Sequence, residues 1–250
     1  MGADATMPAG DARTTGPAAE PPFHWGELDG VAIDFPMAVE RMHGLTLTYA
    51  VPASAAQALV PGESFEVARN DDDTATLVVA LVDYRENPWG DYDEVNLGLL
   101  AHPVDRPEHV GAFVYRMPVD QEFTMRAGNR VLGLPKTVEQ IRFDYAADRV
   151  TMRLDTDGIH AMTVSWPRAE ATGPTELTDA TTFSYLDGVP TELPLAIELG
   201  TGFIDPADVE VELGDAPLAH ELRTLGLPGT PDLAAWGEDL RGVFGRPRPL

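Results

Sequence analysis

Residues 149–166 read RVTMRLDTDGIHAMTVSW, two segments of alternating apolar and polar residues on either side of an Asp157-Gly158 step. Alternation with a period of two marks strands with one buried face, and Asp-Gly supplies the positive backbone angles of a tight hairpin. Strands are therefore expected over Arg149–Leu154 and Ile159–Trp166, joined through Asp155-Thr156-Asp157-Gly158. The pattern extends in both directions. Leu45, Leu47 and Tyr49 alternate with threonines as in an edge or half-buried strand, and Ala75–Tyr84, Val95–Ala101, Val110–Met117, Leu195–Leu199 and Val209–Leu213 read as further strands. Helical spacing appears over Ser54–Val60, which Pro61-Gly62 ends, and over Asp120–Arg130, Leu218–Leu225 and Asp232–Phe244. Strands outnumber helices and their connections are short. This predicts an α+β chain of mainly antiparallel character, a large curved sheet or barrel with a few helices, rather than a parallel fold. No internal repeat or strong boundary divides it. Residues 1–22, rich in Ala, Gly, Pro, Thr and Asp and without basic or apolar secretory regions, are expected to form a disordered tail before a single domain over 23–250.

Composition narrows the function. With 41 acidic and 17 basic residues among 250, the net charge is −24, and no basic stripe offsets it, so nucleic acid is not an expected partner. The longest aliphatic run, Leu77–Val82, is far short of a membrane span. The expectation is a soluble, cytoplasmic protein without a membrane partner. The absence of cysteine removes disulfides, thiolate nucleophiles and thiolate metal sites. The six histidines show no metal-binding spacing, so no metal site is expected. Gly200-Thr201-Gly202 lacks the third glycine of a dinucleotide loop and reads as a turn. No phosphate-binding loop and no Gly-x-Ser-x-Gly elbow is present. No cofactor is expected.

The basic residues are unevenly divided: sixteen are arginine and one, Lys136, is lysine. Arginine keeps its proton in proteins, whereas a desolvated lysine becomes a neutral amine that can attack a carbonyl and form an imine. Lys136 lies in Gly133-Leu134-Pro135-Lys136-Thr137, flanked by Val131, Leu132 and Leu134, an apolar setting of the kind that favours the neutral form.

These residues resemble the acetoacetate decarboxylase superfamily, whose signature is a glycine-aromatic-Pro-Lys-Lys segment following a helix that begins with an Asp-x-Glu step. Asp120-Gln121-Glu122 begins sixteen residues before Lys136, with Gly128 between them. Tyr92-Asp93-Glu94, followed by the strand Val95–Ala101, looks like the family's Tyr-x-Glu motif, whose glutamate lies beside the catalytic lysine. Arg41, with Pro61 further on, resembles the substrate-facing arginine segment after a one-residue shift. Gly200-Thr201-Gly202 and Leu225-Gly226-Leu227 are similar to C-terminal patterns of the family, so the resemblance runs from about residue 36 to 240.

The resemblance implies a large β-barrel or curved sheet around a central cavity and a possible homo-oligomer. It implies catalytic roles for Lys136 and Glu94, and places Arg41, Tyr92, Met117, Arg130 and Thr137 around a small keto acid. Such a chain would be a Schiff-base lyase of the decarboxylase kind. Departures from the signature favour an alternative. Thr137 replaces the second lysine, Asn129-Arg130 replaces the usual Arg-Glu, Leu134 replaces the aromatic residue, and Val79 stands where another acidic residue is often found. The alternative is an aldolase-dehydratase acting on pyruvate-type acids through the same imine; a binding protein that kept the fold without turnover is the other.

Overall fold

The computed structural model describes residue 17 and residues 20–250. Most of the tail expected over 1–22 lies outside the described residues. Glu20 is tied down: it forms an ion pair with Arg248 and accepts the backbone N–H of Arg246 at 3.3 Å.

The chain opens with a hairpin, β1 (Phe23–Leu28) and β2 (Val31–Phe35), and continues into β3 (Met37–Pro52), helix α1 (Ala53–Gln57), β4 (Phe65–Val67), β5 (Thr74–Glu86), β6 (Tyr92–Pro103) and β7 (Gly111–Val119). Helix α2 (Glu122–Ala127) runs on as a π turn over Gly128–Leu132 and leads into β8 (Lys136–Val138). Next come β9 (Gln140–Tyr145), β10 (Arg149–Thr156), β11 (Ile159–Pro167), β12 (Leu177–Leu186), β13 (Val189–Glu198), β14 (Gly202–Phe203) and β15 (Glu210–Leu213). Helix α3 (Pro217–Thr224), β16 (Leu233–Phe244) and β17 (Arg248–Pro249) complete it.

Seven strands close on themselves in the order β16-β3-β5-β6-β7-β12-β13, with β13 returning to β16. A closed ring with an odd number of strands cannot be antiparallel throughout, and the one parallel step is β7–β12, where Thr182 and Phe183 face Ala112 and Phe113. The mainly antiparallel barrel with few helices is thus the observed fold. A second sheet, β15-β11-β10-β9, packs against it. The principal apolar cluster lies between the two layers: Leu45, Leu47, Leu81, Val95 and Leu97 meet Val150, Met152, Val164 and Trp166, with Trp166 and Trp236 ring centroids 5.4 Å apart. Burying roughly a dozen large aliphatic and aromatic side chains in this layer, at about 1.5–3 kcal/mol each, makes it the main source of stability.

The hairpin at 149–166 forms as read. Thr156 faces Ile159, and Asp157 and Gly158 take φ of 53° and 75°, the two positive angles such a turn requires. β3 takes the half-buried of the two readings offered for it: sixteen residues long, it lies between β16 and β5 with Leu45, Leu47 and Tyr49 buried. One feature differs from expectation. Asp232–Phe244 is not helical; Leu233–Phe244 is a strand paired with β3. Its register slips between Gly237 and Leu240 and again between Leu240 and Gly242, with Asp239 at φ 54°, so its apolar residues fall at spacings that imitate a helix. Among the described residues no helix is long and apolar enough to cross a membrane.

Candidate active site

Strand alternation divides β5 and β6 into two faces. Leu81, Asp83, Asp93, Val95 and Leu97 turn to the second sheet, while Val82, Tyr84, Tyr92 and Glu94 turn to the opposite face, which receives Lys136. Four devices deliver the lysine there.

Gln121 caps α2, accepting from the Thr124 N–H at 3.2 Å while its amide nitrogen donates to the carbonyls of Trp89 and Asp91 at 3.1 Å. The cap anchors the helix start to the loop before β6. The helix then widens into the π turn, an irregularity common at functional sites, and Gly133 reverses the chain at φ 70°. Beyond Pro135 the chain pairs in parallel with β7, Lys136 opposite Met117. Finally, the lysine side chain crosses Gly128 so closely that a Cβ there would lie 2.5 Å from Cδ and 2.9 Å from Cε.

At the end of this path the Lys136 ammonium is 2.7 Å from Glu94 Oε2, with 2% and 5% of the two side chains exposed. Nζ also reaches Thr124 Oγ1 at 3.3 Å and the Tyr92 hydroxyl at 3.5 Å, and stands 4.9 Å from the centre of the Tyr92 ring. Tyr84 stacks on Tyr92 with centroids 4.4 Å apart, and Met42, Val82, Val119 and Leu240 complete the apolar surroundings.

Burial by itself pushes the Lys136 ammonium toward losing its proton, but Glu94 and then Tyr92 outweigh it, so the resting pair holds the lysine above its ordinary range. Burial pushes the Tyr92 phenol up to about 12, against the pull of Lys136, and drives Tyr84 well above its usual value, helped by Glu94. Both phenols therefore stay protonated and act as hydrogen-bonding groups.

Of the residues expected at the site, Lys136, Glu94 and Tyr92 meet. Met117 is buried beside the lysine strand in the apolar cluster of Trp89, Ala127, Val131, Leu134 and Leu193. Arg41 is not at Nζ: it sits at the bulge between β3 and β5, half exposed, its guanidinium 2.7 Å from Glu86. Arg130 and Thr137 are exposed. Thr137 borders a cavity of about 420 Å³ with Arg116, Glu139, Thr156 and Glu221. Thr124 and Asn129 were not anticipated. Thr124 touches Nζ, and Asn129 grips the Lys136 main chain, its side chain accepting from the backbone N–H at 2.8 Å and donating to the carbonyl at 3.1 Å. No His, Cys, Asp and Glu cluster suited to a metal occurs among the described residues.

A buried primary amine beside a carboxylate and phenols, without a metal cluster among the described residues, is suited to addition to a carbonyl with local proton transfer. Solved structures share this fold at low sequence identity. An acetoacetate decarboxylase structure superimposes with a TM-score of 0.67 at 14% identity, covering 86% of this chain and 89% of the other. An acetoacetate decarboxylase-like enzyme from Sphingomonas wittichii gives 0.62 at 17%, covering 91% and 98%. The enduracididine biosynthesis enzyme MppR, complexed with the condensation product of pyruvate and imidazole 4-carboxaldehyde, gives 0.56 at 18%, covering 86% and 89%. No curated protein matches the sequence significantly. The family model for acetoacetate decarboxylase matches residues 16–219, and the chain belongs to the acetoacetate decarboxylase family.

Proposed function

We propose that the protein is an imine-forming lyase that acts on a small keto acid through Lys136, with Glu94 as its proton carrier. The observation that carries this is the 2.7 Å contact between Nζ and Oε2 in a site with almost no solvent. Transfer of one proton from Nζ to Glu94 converts a buried ion pair into a neutral amine and carboxylic acid, which a low-dielectric site tolerates well.

The amine lone pair then bonds to the carbonyl carbon, and the carbonyl π pair moves to oxygen, which takes the proton from Glu94. Glu94 next removes a proton from the cationic nitrogen and returns it to the departing hydroxyl. Water leaves and a protonated imine remains beside the carboxylate. Ammonium, carboxylate and ketone thereby become iminium, carboxylate and water. In a β-keto acid the bond to the carboxylate group breaks, its electron pair enters the iminium to give an enamine, and carbon dioxide departs. Reprotonation at carbon and hydrolysis release the ketone and free Lys136.

A second reading is supported by the departures at Thr137, Asn129-Arg130 and Leu134 and by the likeness to MppR, whose structure holds a pyruvate condensation product. In it the same imine of a pyruvate-type acid supplies an enamine that adds to an aldehyde before dehydration. In both, a net charge of −24 calls for a local cation to draw in the carboxylate; Arg41 and Arg130 are the proposed attractors. We place the activity in the cytoplasm and in a homo-oligomer.

The test is reductive trapping with acetoacetate and with pyruvate, followed by intact mass and peptide mapping. An adduct on Lys136 is expected, with the mass of acetone from acetoacetate if decarboxylation operates and the mass of pyruvate if condensation does. Absence of an adduct with either acid overturns the keto-acid assignment in favour of a binding protein.

A further inference from the structure

Three hydrogen-bond acceptors surround Nζ of Lys136, and two of them, Glu94 and Tyr92, lie in a motif legible in the sequence. The third is Thr124. Its Oγ1 is 3.3 Å from Nζ, closer than the Tyr92 hydroxyl at 3.5 Å, and the residue has no exposed surface. Its position is built in. Thr124 is the third residue of α2, its own N–H is held by the Gln121 cap, and a β-branched side chain on a helix has few rotamers to choose from. The same hydroxyl also stands against the Tyr92 phenol.

An ammonium donates three hydrogen bonds, whereas a neutral amine has two N–H groups and one lone pair. Once Glu94 has taken a proton, the directions of the two remaining N–H bonds decide where the lone pair points. Thr124 and Tyr92 are the acceptors available to them, and Thr124 is the nearer. As the nitrogen attacks it becomes cationic, and its N–H bonds become stronger donors. A hydroxyl already in place to accept one of them is worth more in that transition state than in the resting amine.

Resting on the imine chemistry proposed above, we infer that Thr124 is a catalytic residue of imine formation. Its hydroxyl holds one N–H of Lys136, aims the lone pair at the carbonyl carbon and stabilises the nitrogen as it acquires charge. The hydroxyl itself neither gains nor loses a proton over the cycle, so the balance of the reaction is unchanged.

The test compares the full-length chain with Thr124→Val, which keeps the shape and removes the hydroxyl, and Thr124→Ser, which restores it. Lys136 and the N-terminal amine are the only primary amines, so trace acetylation with acetic anhydride from about pH 6 to about pH 12 reports the lysine against an internal standard. Reductive trapping with pyruvate reports imine formation. In Thr124→Val the acetylation midpoint is expected to fall by about one pH unit, because the ammonium has lost an acceptor. Above the midpoint both acetylation and trapping are expected to slow by about tenfold or more. Thr124→Ser is expected to stay within about threefold of the parent on both measures.

A valine variant with the parent's midpoint and rates overturns the inference, as does a serine variant as impaired as the valine one. If the parent takes no adduct from pyruvate or acetoacetate, the keto-acid assignment fails on its own. The acetylation profile then decides Thr124 by the same criteria.

Discussion

Asn129 pairs with Lys136 as a strand would, its side-chain amide accepting the lysine N–H at 2.8 Å and donating to the lysine carbonyl at 3.1 Å. β8 is three residues long and pairs with β7 on one side only, and the Asn129 amide occupies the other side at the one position where accuracy matters. Each of these hydrogen bonds contributes about 1 kcal/mol net. Asn129→Ala is therefore expected to destabilise the protein by about 1–2 kcal/mol, lowering the melting temperature by a few degrees. Trapping at Lys136 is expected to slow by about tenfold or more as the amine loses its alignment. Thermal melts and trapping rates check this together; unchanged trapping would show that β7 alone fixes the lysine.

Gly128 tests the path of the lysine side chain rather than its main-chain anchor. The atoms nearest to a Cβ there are Cδ, Cε and Cγ of Lys136, at 2.5, 2.9 and 3.0 Å. A side chain can swing aside where backbone cannot, so Gly128→Ala is expected to fold, destabilised by about 3 kcal/mol as the buried ion pair parts. The amine can swing only by leaving Glu94, and imine trapping is expected to fall by about a hundredfold. Trapping measured well below the variant's melting temperature checks this, and a rate within about threefold of the parent's would show that the lysine reaches Glu94 by another path.

Glu94→Gln tests the ion pair. Removing one partner of a buried pair costs about 3 kcal/mol, and the lysine lessens that cost by shedding its proton. In the parent the pair raises the lysine above its unfolded value, so its stabilisation is complete below the ordinary lysine pKa of about 10.4 and is lost as pH rises through the higher folded value. The parent's melting temperature is expected to fall steeply above about pH 10 through this group, and that of Glu94→Gln to lack this component. In the variant burial acts on the ammonium against Tyr92 alone, so Lys136 should acetylate faster at pH 7 while turnover drops by about a hundredfold for want of the proton carrier. Slower acetylation would mean that Glu94 supports nucleophilicity by some route other than the charge it places on Nζ.

Much of this was legible in the sequence where one signal governs one feature. The Asp157-Gly158 hairpin and the Lys136–Glu94 pairing are such cases. Two further hairpins carry the same signal: Asp29-Gly30 and Asp187-Gly188 join β1 to β2 and β12 to β13 with the same pair of positive angles. β16 was illegible because its register slips at Gly237–Leu240 break the alternation that identifies a strand. Thr124 and Asn129 were illegible for another reason. Nothing in their own residue types points to chemistry, and their value comes from a π turn that brings residues 124, 129 and 136 to one place. Arg41 shows the opposite case: its charge suggests a substrate contact, and the fold seats it half exposed beside Glu86, away from Nζ.

Asp93 carries a prediction on the other face of β6. It lies opposite Asp83 across the β5–β6 ladder, and burial, reinforced by Asp83 and Asp120, pushes its carboxyl up to about 8. A carboxyl raised in the folded state binds its proton there after the unfolded chain has lost it, so it weakens stability progressively from about pH 4 to pH 8. Asp93→Asn is expected to remove this penalty, raising stability at pH 8.5 by roughly 2 kcal/mol after allowance for screening at its partly exposed edge, and changing little at pH 4. Denaturant titrations at the two pH values check it, and equal effects at both would show that the carboxylates do not repel one another across the ladder.

The last prediction concerns Thr137, where the family signature has a second lysine. An adjacent ammonium would depress the pKa of Lys136 only if its charge came near Nζ, and sequence adjacency suggests that it would. The strand geometry says otherwise. Lys136 and Thr137 are consecutive residues of β8, so their side chains leave on opposite faces: Lys136 turns inward to Glu94, and Thr137 is exposed beside Arg116 and Glu139. At a separation near a Debye length, with solvent around the outer charge, the interaction is worth only a few tenths of a kcal/mol. Thr137→Lys is therefore expected to leave the pH midpoint for acetylation of Lys136 within about 0.3 of the parent's. The added lysine acetylates separately and is resolved by peptide mapping. A drop of a full pH unit would show that the second charge reaches Nζ through the protein, and would make desolvation by Tyr92, Tyr84 and their apolar neighbours the lesser part of the lysine's activation.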